Sequence, residues 1–94
     1  MNWKELKDNP KTKEIYDKKL LILKKTREFF WSLGFVEAQT PIAVKTASQE
    51  PYLDPIGIRY IHPMGQEYPF YLHTSPEYAL KKLLCAGYEK IFEI

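Results

Sequence analysis

The stretch Phe29-Phe30-Trp31-Ser32-Leu33-Gly34-Phe35-Val36-Glu37-Ala38-Gln39-Thr40-Pro41 decides the fold. Gly34 stands where a helix needs a left-handed C-terminal cap. Upstream of it, Thr12 to Leu33 contains no Pro or Gly, so the pattern predicts one long helix. Ile15, Ile22 and Phe29 recur every seven residues, and Tyr16, Leu20, Leu23 and Phe30 form a neighbouring stripe. Lys18, Lys19, Lys24, Lys25 and Arg27 crowd the other side. Residues 2–8 predict a short helical turn that stops before Pro10. Downstream, Phe35 to Thr40 reads as an imperfectly alternating strand, which Pro41 ends or places at an edge.

Beyond Pro41 the signals alternate between loop, strand and helix. Residues 42–57 carry Pro51, Pro55 and Gly57 and read as loop. Residues 58–61 and 70–73 read as two antiparallel strands, joined by a turn region holding Pro63, Gly65 and Pro69. In Thr74-Ser75-Pro76-Glu77, Ser75 can cap a helix with Pro76 at its first position. Alternatively, Thr74 caps and Glu77 closes a capping box. That helix runs from Tyr78 to Ala86, with Gly87 as its stop. Lys90-Ile91-Phe92-Glu93-Ile94 alternates as a last strand, whose backbone needs a neighbour, so the sheet reads as incomplete. The fold class is α+β, in a single domain without repeats.

Composition narrows the function. The 94 residues are 45% hydrophobic, 28% charged and 15% aromatic, which is globular. Fourteen basic and twelve acidic residues leave a net charge of +2. Residues 1–30 hold nine basic and five acidic residues, and residues 31–94 five and seven. So small an overall bias does not by itself point to nucleic acid or membrane. No apolar run could span a bilayer, and the charged N-terminus lacks a signal-peptide core, so the expected location is cytoplasmic. A single cysteine, Cys85, excludes an internal disulfide and a Cys-based zinc cluster.

Each candidate group has a chemical and a plain reading. Glu77, fixed on a helix's first turn, could bind a substrate ammonium or simply complement the helix dipole. His62 and His73, on opposite arms of the hairpin, could face each other, but no third metal ligand accompanies them. Cys85, within Leu83-Leu84-Cys85-Ala86, reads as a buried inert thiol. The Lys-rich face over 18–27 reads as a solvated helix face rather than an RNA contact. Phe29, Phe30, Trp31 and Phe35 form either core or subunit interface.

The order of these pieces is more specific than any one of them. Arg27-Glu28-Phe29-Phe30, then Gly34-Phe35-Val36-Glu37, with Thr40-Pro41 closing the strand, resembles motif 1 of class II aminoacyl-tRNA synthetases. That motif is a long helix and a proline-ended strand that build a dimer interface. Leu72 to Leu84 with Gly87 resembles the lysine-type branch, and Ile91-Phe92-Glu93-Ile94 looks like the strand that opens motif 2. The resemblance places motif 1 near residues 12–41, a substrate-binding segment at 74–87 and the start of motif 2 at 90–94. Together these form the N-terminal part of a catalytic domain.

Within that branch, lysyl-tRNA synthetases carry alanine before the Pro-Glu. Ligases that lysylate elongation factor P carry Thr-Ser-Pro-Glu-Tyr, and Thr74 to Tyr78 is similar to these. About a dozen residues precede the helix, too few for the β-barrel anticodon-binding domain of the tRNA enzymes. Tyr52-Leu53-Asp54-Pro55 also looks like a stretch of the elongation factor P ligases.

The resemblance implies that Glu77 binds an amino group of lysine or β-lysine, in a pocket shaped by Ser75 and Pro76. It also implies ATP and magnesium as cofactors, elongation factor P as partner, and a homodimer through motif 1. The motif 2 arginine is expected just after Ile94, and the motif 3 arginine and metal-binding acidic residues do not appear in this sequence. No catalytic, ATP-binding or metal-binding residue is therefore assigned, and the polypeptide alone is not expected to form an adenylate. The leading expectation is a truncated or split ATP-dependent ligase, with a complementing C-terminal fragment as its partner. Two others are a non-catalytic dimerisation or docking module, and a fragment of a true lysyl-tRNA synthetase.

Overall fold

Two asparagines start the helices of the first part of the chain. The computed structural model describes residues 2–47 and 49–94. In it the chain divides into two units, Met1–Glu37 and Ala38–Ile94. In the first, Asn2 caps α1 (Trp3–Asp8) by accepting the Lys4 N–H at 3.0 Å. Asn9 caps α2 (Pro10–Ser32) by accepting the N–H groups of Lys11 at 3.1 Å and Thr12 at 3.3 Å. The long helix therefore begins two residues before the predicted Thr12. The short turn α1 does stop before Pro10, as predicted, and Pro10 is itself the first residue of α2, where its missing N–H would have had no partner anyway.

Gly34 ends α2 as its sequence predicts, at φ +80°. Its N–H reaches the Trp31 carbonyl at 3.0 Å, and the Phe35 N–H reaches the Phe30 carbonyl at 3.0 Å. That is the Schellman pattern, and the Phe30 and Phe35 rings complete it edge to face, 5.4 Å apart. Arg27 then ties the helix to β1 (Val36–Glu37), its Nε donating to both Glu37 carboxylate oxygens at 2.8 and 3.1 Å. Of the aromatic group, Phe30 and Phe35 are half-buried, whereas Phe29 and Trp31 remain 59% and 52% exposed.

Several lysines of α2 pair with a carboxylate about one turn away. Lys18 pairs with Glu14 at 2.6 Å, Lys13 with Asp17 at 2.9 Å, and Lys25 with Glu28 at 3.1 Å. Such exposed pairs each contribute only a few tenths of a kcal/mol. With seven basic residues against three acidic ones, α2 keeps a net positive, solvent-exposed face.

The second unit is built on a hairpin. β3 (Ile56–Ile61) and β4 (Glu67–Leu72) run antiparallel, in register from Ile56 opposite Leu72 to Ile61 opposite Glu67. Gly65, at φ +90°, makes the turn, and the His62 N–H closes it on the Gln66 carbonyl at 2.8 Å. Pro69 lies within β4, not in the turn as predicted. Its missing N–H is tolerated because β2 (Ala43–Val44) reaches only Leu72 and Tyr71 of β4, leaving one side open at Pro69. The sheet order is β2-β4-β3. β2 and the start of β3 thus emerge from the segment predicted to be loop.

α3 (Glu77–Cys85) follows the sheet, and Gly87, at φ +103°, closes it as Gly34 closes α2. The Tyr88 N–H reaches the Leu83 carbonyl at 3.2 Å. Ala79, Leu80 and Leu83 form its half-buried face. Cys85 is exposed, which corrects the expected buried thiol. Two residues beyond Leu83, it lies about 200° around the helix from that face.

The ends of this unit are joined near β5 (Ile91–Phe92). The Ala38 N–H donates to the Phe92 carbonyl at 2.8 Å. Two residues on, the Glu93 carboxylate accepts the Thr40 N–H at 2.7 Å and the Thr40 hydroxyl at 2.9 Å. Phe92, 7% exposed, is the one buried hydrophobic residue among those described.

Hydrogen bonds to a half-buried carboxylate are among the stronger ones. Thr40→Val, which deletes the hydroxyl donor and keeps the shape, is expected to lower stability by about 1.5–3 kcal/mol in urea unfolding. An unchanged unfolding midpoint would show the clamp to be idle.

Candidate functional site

Ser75, Pro76 and Glu77 lie at the junction of β4 and α3. The Ser75 hydroxyl accepts the Glu77 N–H at 3.2 Å. Pro76 is the capping residue, its carbonyl taking the Leu80 N–H at 2.9 Å. The helix therefore starts one residue later than the reading with Pro76 at its first position. Nor does the alternative capping box form. The Glu77 side chain reaches forward one turn, to Lys81 Nζ at 2.8 Å, rather than back.

That pair sets the electrostatics of Glu77. The hydrogen bond from Lys81, with the attraction of its charge, holds the Glu77 carboxyl below its ordinary value of 4.5. The reciprocal hydrogen bond and attraction raise Lys81 above 10.5. Both side chains are more than half exposed, so the carboxylate is ionised, reachable and partnered by a flexible cation.

Beside this turn the second unit holds a cavity of about 720 Å³. Ser75 and Pro76 line it together with Thr40, Val44, Phe70 and His73. The size suits a small molecule. Glu77 is not part of that wall, although its chain neighbours Pro76 and Tyr78 are. Two of the three predicted site residues thus share a cavity, and the third lies outside on the same helical turn.

The two histidines do not meet. His62 accepts the Met64 N–H at the turn, while His73 lies past the other end of β4, its N–H on the Ile42 carbonyl at 2.9 Å. The six-residue ladder between them is about 17–20 Å long at the rise of a strand. Among the described residues no three His, Cys, Asp or Glu side chains gather to hold a metal. No described helix is long and apolar enough to cross a membrane. Sequence reasoning missed Thr40, Lys45 and Lys82 as cavity residues. No local pattern marks them, because the turn of the chain after Pro41 brings them together.

The Glu77–Lys81 pair has a defined pH window. With Glu77 lowered, its contribution is present above the ordinary carboxylate value and lost as pH falls through the lowered one. With Lys81 raised, it persists until pH climbs through the raised lysine value. Lys81→Met is expected to move the Glu77 titration upward toward 4.5, read from its side-chain carboxyl NMR shift. An unmoved midpoint would remove Lys81 as the cause.

Residues 2–94 match the family described as tRNA synthetases class II (D, K and N). The lysine–tRNA ligase of Aster yellows witches'-broom phytoplasma is 36% identical over 89 residues, which is 92% of this chain and 16% of that protein. The elongation factor P–(R)-β-lysine ligase of Haemophilus influenzae is 36% identical over 78 residues, 82% of this chain and 24% of that protein. The lysine–tRNA ligase of Helicobacter pylori strain Shi470 is 35% identical over 89 residues. The chain thus spans about a sixth to a quarter of the length of these relatives, in line with the 16% and 24% shares. With its long helix, antiparallel strands and second helix in the expected order, and with the family match over nearly its whole length, this chain belongs to the class II tRNA synthetases of the D, K and N group.

Proposed function

We propose that this chain forms the front part of a catalytic domain that activates lysine or β-lysine with ATP and passes it to a lysine of elongation factor P. The observation that carries this reading is Thr74-Ser75-Pro76-Glu77-Tyr78, which holds an ionised carboxylate beside a cavity walled by Ser75 and Pro76. A relative named as an elongation factor P–(R)-β-lysine ligase supports the choice of acceptor. Activation of a carboxylate by ATP requires groups that neutralise phosphate charge as the adenylate forms. The only two arginines here, Arg27 and Arg59, are each engaged with a glutamate, Glu37 and Glu67. ATP and magnesium therefore depend on residues outside this stretch, and the stretch alone is inactive in our reading.

In this scheme Glu77 exchanges the Lys81 ammonium for an ammonium of the amino acid. The exchange is inexpensive because the existing pair is solvent-exposed. The helix start fixes where the carboxylate sits. The exposed stripe Ile15, Ile22 and Phe29 on α2 supplies an apolar face for a homodimer. The proposed location is the cytoplasm, where elongation factor P acts.

A lysine–tRNA ligase is the second reading, favoured by relatives of that name that cover 92% of the chain. The two readings part on the acceptor: transfer of the activated amino acid to elongation factor P supports the first, and to tRNA the second.

In an enzyme completed by the missing C-terminal residues, Glu77→Ala is expected to raise the KM for lysine about tenfold or more, the cost of one charge-assisted hydrogen bond. The KM for ATP should stay nearly constant in pyrophosphate exchange. Equal loss toward both substrates would mean a helix-start defect and would overturn the assignment.

A further inference from the structure

The outer edge of β3 is open, and the ladder shows which backbone groups face it. The His62 N–H donates to the Gln66 carbonyl at 2.8 Å, and β3 and β4 keep that register as far as Ile56 opposite Leu72. Bonded and non-bonded pairs alternate along an antiparallel ladder. Ile56, Ile58 and Tyr60 therefore turn their backbone groups to β4. Pro69 agrees with this, since it lies opposite Arg59 and has no N–H to give. Gly57, Arg59 and Ile61 turn their groups away from β4, and β3 is the last strand on that side of the sheet among the described residues. No backbone bond is made by these outward groups among those residues.

Sheet edges are ordinarily guarded by lysine, proline, a bulge or a covering segment. β3 carries one charge, Arg59, and Glu67 takes it up at 3.1 Å. Ile56, Tyr60 and Ile61 are 64%, 51% and 60% exposed along the strand. A methyl group at Gly57 would touch nothing within 4 Å, which leaves room for a second backbone to approach.

A second copy of β3 fits this edge in one register. Two antiparallel strands related by a two-fold axis pair residues of the same face, so the axis passes through one residue position. Centred on Ile58, the copies overlap from 56 to 60. Gly57 of each copy then exchanges N–H···O=C bonds with Arg59 of the other, and the long arginine lies beside a residue without a side chain. On the opposite face Ile56 meets Tyr60, next to the paired Ile58 side chains. Centred on Arg59, two guanidinium groups would stand directly opposite, which is unfavourable. Any other centre shortens the overlap within Ile56–Ile61.

We propose that β3 is a self-association edge, on which a second copy of this chain adds antiparallel about Ile58 and continues the sheet into the second molecule. The contact is separate from the apolar stripe of α2 and from the amine-binding role of Glu77, and it holds or fails without either.

The test uses the 94-residue chain with Cys85→Ser, so that an introduced thiol is the only one. Ile58→Cys sets two thiols across a non-bonded pair, where Cα atoms stand about 4.5 Å apart, within disulfide reach. Mild oxidation is expected to link this variant into a dimer. Ile56→Cys or Tyr60→Cys alone should stay unlinked, and the two mixed together should link. Ile22→Asp, which spoils the α2 stripe, should leave the linkage at position 58 intact. In the unmodified chain, amide exchange at Gly57 and Arg59 should slow at least about tenfold between micromolar and millimolar protein, with Ile58 and Tyr60 unchanged. Arg59→Pro, which removes an outward donor as Pro69 does in β4, should abolish that slowing at Gly57. Equal linkage of all three single variants would mark random collision and overturn the proposal. So would absence of linkage at position 58, or its loss in Ile22→Asp, which would make it a by-product of the α2 contact. Exchange at Gly57 and Arg59 that does not depend on concentration would overturn it as well, and so would slowing that survives Arg59→Pro.

Discussion

The second unit depends on the grip of Glu93 on Thr40. Fifty-three positions separate the two residues, and one carboxylate holds both the backbone N–H and the hydroxyl of the threonine. The closure entropy of so long a loop must be offset by strong local bonds, and charge-assisted hydrogen bonds to a half-buried carboxylate are suited to that. With Phe92 buried next to Glu93 and the Ala38 N–H on its carbonyl, the two ends of the unit meet in one place. Pro41 follows at once, so the chain leaves this junction in a fixed direction toward β2. The cavity wall that includes Thr40, Lys45 and Ser75 is a consequence of that departure.

Burial elsewhere is thin. Phe92 alone is buried among the described residues, while Ile15, Ile22, Phe29 and Trp31 are each more than half exposed. Large exposed apolar side chains in such density mark a surface made to be covered. Local devices carry the helices instead: asparagine caps at Asn2 and Asn9, and glycine closures at Gly34 and Gly87. These devices act within a few residues of chain and need no surrounding core. The family match over residues 2–94 shows how far such short-range signals, set in a fixed order, identify a fold.

The candidate site combines two kinds of electrostatics within a few residues. Glu77 faces outward as an ionised carboxylate with a surface lysine as its partner. Ser75, two residues earlier, accepts the Glu77 N–H and lines a cavity whose wall also includes Lys45 and Lys82. The helix start separates them, since its first residues point their side chains to different sides.

Gly34, Gly87, the α2 helix and the β3–β4 pairing were legible in the sequence because each rests on neighbours in the chain. The stop of α1 before Pro10 was legible for the same reason, whereas the start of α2 at Pro10 rather than Thr12 came from the Asn9 cap. The place of Pro69 in β4, the short strand β2 and the exposure of Cys85 were not legible. They depend on which edge of β4 is open and on which face of α3 is covered, both set by distant residues. The same holds for the site. The sequence by itself determined that a carboxylate would open a helix after Ser75-Pro76. Only the tertiary structure decided that Glu77 would stand outside the cavity and that Lys45 and Lys82 would line it, because a cavity wall is drawn from segments far apart in the chain and no local pattern records their meeting.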